Sequence, residues 1–382
     1  MSESTATSSL PTFSIDLGSI RFMLDYRFTI KDAYIDINGL PTFIVSDEPI
    51  KQKFQELLLD LGNHQLTAKI RRVADNLVVS VSPKPKLGKP HLRTNVILFL
   101  ATIASVTYAS YTLIYDVDPR LTSALFSGSN LLVQVTILAI SILGIVGIHE
   151  LGHVLANRHH KMDATLPYFV PAPPPFPFGT FGAVISLRGP PGNRDQLFDL
   201  GFSGPIAGFL ATIIVALFAY LTAPVMSEQQ AQQLLQANLL SISNWPNEPL
   251  LLELITGMGL RNVPSGHIMV LTQIAFAAEV GALITFLNIL PVWQLDGGHI
   301  ARAAFGDKGH KLIALLGFAV LFLAGYWGFA LLLGFFMLIS YRRGFALLEG
   351  VAPLDDVSPL STSRKVLLAV ALMMLVVCFF VF

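Results

Sequence analysis

The sequence predicts an α-helical polytopic membrane protein of about seven spans, or six if one long apolar run crosses once, with a small N-terminal α+β soluble domain. Three observations point to this class. Of the 382 residues, 53% are hydrophobic and only 13% are charged, whereas an ordinary soluble domain carries about 25% charged residues. After residue 94, apolar stretches recur that are long enough for roughly 30 Å of hydrocarbon. Before it, short alternating segments and one amphipathic stretch take their place. A formal net charge of zero gives no reason to expect a nucleic-acid partner. The single cysteine, Cys378, cannot form an internal disulfide.

Residues 1–12 are polar and read as a disordered tail rather than a secretory signal. Residues 14–83 read as a cytosolic α+β domain in the order strand, strand, helix, strand, strand. "AYIDINGLPTFIV" alternates about Asn38-Gly39, a hairpin turn signal. "EPIKQKFQELLLDLG" has helical spacing, with Ser46 or Asp47 available as its cap and Gly62 near its end. Nothing in this domain clusters chemically, so it reads as a regulatory or adaptor module. Residues 84–94 form a basic, proline-broken linker, and 95–382 form the transmembrane domain.

Spans are expected near 95–116, 131–157, 197–224, 267–290 and 363–382. The run 309–342 is too long for one span, and a break near Gly325 would divide it in two. With the N-terminal domain in the cytosol, cytosolic segments hold the basic residues of 84–93, 158–161, 188–194, 302–311, 342–343 and 364–365. The opposite side holds Arg120 and Arg261. That bias fixes the orientation. "LPYFVPAPPPFPFGTFGAVISL" (166–187) has too many prolines for a spanning helix. It reads as a loop followed by the strand "GAVISL", shielded by protein or lining a wet cavity. Residues 225–262 read as an external loop with partly amphipathic helix.

The chemistry lies in "GIVGIHELGHVLANRHH" (144–160). His149 and His153 are four residues apart, so a helix sets both rings on one face, where they can share a tetrahedral Zn²⁺. Glu150 is poorly placed as a third ligand but can take a proton from water beside the metal, the H-E-x-x-H arrangement. Ionisable groups at the end of an apolar run point to function. The third ligand must come from another element at the same depth. "FLNILPVWQLDGGHIARAAFG" (286–306) offers Asp296, with His299 as a rival. Gly297 and Gly298 leave the backbone at Asp296 free to turn, although Asp296 can equally be a helix cap. Glu279, mid-span, has no evident partner.

"HELGH" late in one span, "FSGPIAG" (202–208) opening the next, and "NILPVWQLDGG" (288–298) after a third resemble the site-2 protease family of intramembrane zinc metalloproteases. The likeness covers about 130–305. The proline-rich loop with "FGTFGAVISLRG" and the flanking spans are most similar to the archaeal, cyanobacterial and plastid branch. The resemblance implies Zn²⁺ held by His149, His153 and Asp296, with Glu150 as catalytic acid/base. It also implies a structural and transition-state role for Asn288, and a catalytic core of three spans. Asn288 has a second reading as a helix–helix hydrogen-bonding residue, and "FSGPIAGF" reads as close helix packing.

The expected activity is hydrolysis of peptide bonds within or near transmembrane segments of a membrane-protein substrate. The edge formed by Gly182, Ala183, Val184, Ile185 and Ser186 would pair with an unwound substrate helix. Two alternatives belong to other classes: a membrane metal-ion transporter and a proteolytically inactive scaffold. A transporter needs no base beside the ligands, and no inverted repeat is evident. A scaffold needs no complete ligand set.

Overall fold

A computed structural model describes residues 16–46, 49–84, 92–115, 130–176, 178–237, 248–270, 272–342 and 350–379. The tail expected at 1–12 and most of the linker expected at 84–94 lie outside them.

The N-terminal part contains α1 (Leu17–Asp25), β1 (Ile30–Ile35), β2 (Pro41–Val45), α2 (Lys51–Asn63), β3 (Leu66–Val73) and β4 (Asn76–Pro83). The strands form an antiparallel sheet of order β1-β2-β4-β3. At the β1–β2 turn, Gly39 takes φ +75°, which a side chain would resist. There Asp36 Oδ1 accepts from the N–H groups of Asn38 and Leu40. Phe54, Leu57 and Leu61 share one face of α2 and pack with Ile70, Leu77, Val79 and Val81. Helix α1 adds to the expected order. Asp16 caps it by accepting from Ser19 N–H, and Ile20 and Leu24 join the same core. The N-cap of α2 is Ile50, with no side-chain cap, so Ser46 does not fill that place, and Asp47 lies outside the described residues.

Two long helices follow, α3 (Leu92–Tyr115) and α4 (Leu131–His159). The proline-rich segment then forms an antiparallel pair, β5 (Tyr168–Pro171) and β6 (Thr180–Val184). The strand expected over "GAVISL" starts and ends earlier, which leaves Ile185 and Ser186 beyond it. α3 shields this pair. Asn95 Nδ2 donates to the carbonyls of Leu166 and Pro167 at 3.1 and 2.9 Å. Ser105 Oγ donates to Gly179 O at 2.6 Å, and the rings of Phe99 and Phe169 meet at 5.0 Å. Backbone carbonyls that proline cannot help pair inside the segment thus find donors on a neighbouring helix.

After α5 (Arg194–Thr222) come β7 (Val225–Ser227), α6 (Glu228–Gln236), α7 (Leu250–Gly257) and β8 (His267–Met269). β8 pairs with β7, so the run expected to enter its span at 267 begins as a strand instead. Its helix, α8, covers Gln273–Ile289. α9 (Asp296–Leu323) and α10 (Trp327–Arg342) divide the run 309–342 at Gly325, whose φ is +87°. α11 (Thr362–Val377) is the last element.

Among the described residues, α3, α4 and α5 are long and apolar enough to cross a membrane; α8 and α10 are shorter apolar helices. α5 packs with α8 through small residues. At Gly281 an added Cβ would run into Thr212 Oγ1 and approach Ile145 Cδ1 to 2.9 Å.

Candidate metal centre

The last turns of α4 carry His149, Glu150 and His153, all buried. The imidazoles meet edge-on, with centroids 4.9 Å apart and Nε2 atoms 3.1 Å apart. Asp296 Oδ2 lies 3.3 Å from His149 Nε2 and 3.2 Å from His153 Nε2. This is the group of three among the described residues that could hold a metal ion. Donors at 2.0–2.1 Å from a tetrahedral Zn²⁺ stand about 3.3 Å from one another, so the spacing of these three atoms fits that ion. His153 Nδ1 is 2.9 Å from Leu200 O. Donation of its N–H there fixes the tautomer and leaves Nε2 with its lone pair for a metal.

Asp296 opens α9, and Leu295, without a side-chain cap bond, is the N-cap. The carboxylate is therefore free of the capping role and turned to the two rings. The glycines after it serve a different purpose from the one expected. Neither has a left-handed backbone; the left-handed residue is Trp293, at φ +47°. Instead, a Cβ on Gly297 would overlap Ile289 O, and one on Gly298 would overlap Trp293 O. They let the start of α9 fold tightly against the end of α8. His299 stays outside the group of three, with Nδ1 buried and unpaired. Asn288 lies in the last turn of α8, partly buried.

A further set of residues shapes the site. Gly201, Gly204 and Gly208 line one face of α5. A Cβ on Gly204 would overlap the imidazole of His153. On Gly208 it would stand 3.1 Å from His149 Nδ1, and on Gly201 2.5 Å from Asp296 O. Reciprocally, a Cβ on Gly152 of α4 would overlap Ser203 O. "FSGPIAG" is thus more than generic close packing, because its bare face is what the metal-site residues rest on. The signal was present as small residues at i, i+3 and i+7, but nothing in the sequence says what they face.

β6 passes beside the site. The Glu150 carboxylate faces the backbone N–H of Ala183. Phe181 and Val184 of the same strand are exposed, and β6 pairs only with β5 among the described residues. Gly182, at φ +89°, has open space where a Cβ would be.

Comparison with known proteins adds to this geometry. The model of peptidase family M50 matches residues 137–325, which contain all three ligand candidates. The chain is 30% identical to "Probable zinc metalloprotease EGY1, chloroplastic" of Arabidopsis thaliana, over 63% of this chain and 41% of the relative. It is also 30% identical to "Probable zinc metalloprotease EGY2, chloroplastic" of Oryza sativa subsp. indica, over 48% of this chain and 33% of the relative. To "Probable zinc metallopeptidase EGY3, chloroplastic" of Arabidopsis thaliana it is 23% identical, over 58% and 38%. The chain spans about two-fifths or less of the length of these curated relatives. No solved structure matches it.

Proposed function

We propose, from the match of the peptidase family M50 model to residues 137–325, that the chain is a member of that family and a multi-pass intramembrane zinc metalloprotease that cuts peptide bonds within or near transmembrane segments of other membrane proteins. The observation that carries this reading is the approach of His149 Nε2, His153 Nε2 and Asp296 Oδ2 to 3.1–3.3 Å of one another, with a buried carboxylate next in sequence. The names of the relatives favour a protease over a metal transporter or an inactive scaffold.

His149, His153 and Asp296 would hold the zinc. When bound, zinc supplies Lewis acidity toward water and the scissile carbonyl. Glu150 accepts the proton of the attacking water and returns it to the leaving amine. Asn288 donates its amide N–H to the developing oxyanion. A spanning helix hides its peptide groups in its own hydrogen bonds, so a substrate must unwind before it can be cut. The free edge of β6, running past Glu150, offers replacement bonds to the unwound segment through Gly182–Val184. Ile185 and Ser186 continue that path. The charge bias of the sequence supports an orientation with the N-terminal domain and the site on the cytosolic side, and the break at Gly325 supports a count of about seven spans.

The test is Glu150→Gln in full-length protein reconstituted into liposomes with a membrane substrate. Removing a general base costs about 10²–10⁴-fold in rate. Cleavage should fall by that much while zinc content, read by elemental analysis, stays near one ion per chain. Cleavage at the parent rate would refute the mechanism.

A further inference from the structure

Residues 350–361 lead into α11, and they make contacts on both sides. On one side is the N-terminal domain. Leu354 is buried in that domain's core. Ile70 N–H donates to Leu354 O at 3.0 Å, and Arg71 donates to Leu354 O and Pro353 O, both at 2.8 Å. On the other side is the approach to α5. Leu354 N–H donates to Pro191 O at 2.7 Å, and Asp355 N–H to Gly192 O at 2.9 Å. Asp355 bridges in parallel to both Ile70 and Asn193. The segment therefore lies between the edge of β3 and the residues that lead into α5, bridged to each at Asp355.

The next residue, Asp356, grips two helices at once. Arg302 of α9 forks onto it, Nη1 to Oδ1 at 2.9 Å and Nη2 to Oδ2 at 2.6 Å. Arg194, the first residue of α5, donates Nε to Asp356 Oδ1 at 3.2 Å and Nη2 to Asp356 O at 2.8 Å. Arg302 is only 3% exposed. It stands six residues after Asp296, in the stretch of α9 that ends at the kink of Gly306, where φ is +71°. A Cβ on Gly306 would meet Arg194 Nη2 at 3.2 Å. These are the two helices whose relative placement sets the metal site, because α9 brings Asp296 and α5 brings the glycine face under it.

We propose that Asp356 is a positioning residue of the metal centre, holding the first turns of α5 and α9 in register so that Asp296 reaches the two imidazoles, and that the N-terminal domain acts on the site through this segment. The proposal rests on the metalloprotease reading. Without Asp356 a buried guanidinium loses its counter-charge and must move, and the helix that carries Asp296 moves with it. Residues that orient metal ligands from behind are worth about 10–100-fold in metal affinity or activity.

The test compares Asp356→Asn and Asp356→Glu with the parent, as full-length zinc-loaded protein in detergent. It follows zinc release to a chelator and, separately, kcat and KM for a membrane substrate. Asp356→Asn should release zinc about ten-fold faster and lower kcat with little change in KM; Asp356→Glu should recover much of both. Arg71→Ala, which leaves the membrane helices untouched, should shift zinc release in the same direction. A purely structural role would lower the unfolding temperature and leave zinc release by the folded protein at the parent rate, and that result overturns the proposal. Should Asp356→Asn not assemble, Arg302→Lys keeps the charge and removes the fork; parent-like zinc release there overturns it equally. Zinc release needs no substrate, so it decides the positioning role even if the parent cleaves nothing.

Discussion

Gly204 leaves no room for a side chain, because the position of its missing Cβ is already taken by the ring of His153. Gly204→Ala must push that ring off its line to Asp296 Oδ2. We expect the variant to bind zinc at least about ten-fold more weakly than the parent in a chelator competition, the scale set by disturbed ligand orientation. Gly208→Ala, with 3.1 Å to His149 Nδ1, should be milder; equal affinities for Gly204→Ala and the parent would dismiss the idea of a bare helix face under the ligands. At this scale the sequence is most informative where chemistry is local. The pairing of His149 with His153 follows from helical spacing alone. The choice of Asp296 over His299 does not, because it depends on how α9 packs on α4 and α5. The same holds for the glycines, since a sequence shows that they are small but not what stands opposite them.

The elements were legible where a break has its own residue signal. Gly39 and Gly325 both take left-handed backbone where a turn or helix break was expected. What was not legible is pairing between distant segments. β7 and β8 find each other across the whole loop that contains α6 and α7, so the apolar residues of 267–269 look like the start of a span when read alone. β5 was hidden for a related reason. Its proline neighbourhood argues against regular structure until α3 supplies the missing donors. Gly179 is where that dependence can be probed. Its φ is +66°, and a Cβ there would stand 2.5 Å from Val106 Cα in α3. Gly179→Ala combines backbone strain of about 1–3 kcal/mol with a clash between loop and helix. We expect a lower unfolding temperature in detergent and a raised KM for membrane substrate, with zinc content unchanged. An unchanged KM would argue that β6 does not receive the substrate.

For the whole molecule, the sequence indicates a soluble module attached to a membrane body but gives no sign of how the two are joined. The join runs through residues 350–361, where Ile70 and Arg71 bond to the carbonyls of Leu354 and Pro353, Leu354 enters the domain core and Asp356 pairs with Arg194 and Arg302; Lys51 Nζ adds a direct bond to Asp195 Oδ2 at 2.6 Å. Burial pushes the Asp356 carboxyl up, but hydrogen bonds and charge from Arg302, with Arg194 and Arg71 behind it, hold it below the ordinary aspartate value. A group whose folded pKa is depressed stabilises above its unfolded pKa of about 3.9 and loses that contribution as pH falls through the folded value. Hydrogen exchange should therefore show residues 350–361 protected at neutral pH and losing protection below about pH 4. Protection that persists unchanged at pH 3 would mean that apolar contacts such as Leu354, rather than charge, hold the segment.

The position of Leu354 in the core of the N-terminal domain also bears on biosynthesis. That domain leaves the ribosome before the helices that follow it, yet the residue that fills its core and covers the edge of β3 follows every described helix except α11. Until Leu354 has been made, the nascent domain carries a hole in its core and an unpaired edge on β3. Its final consolidation therefore waits on a residue made after nearly all of the described helices.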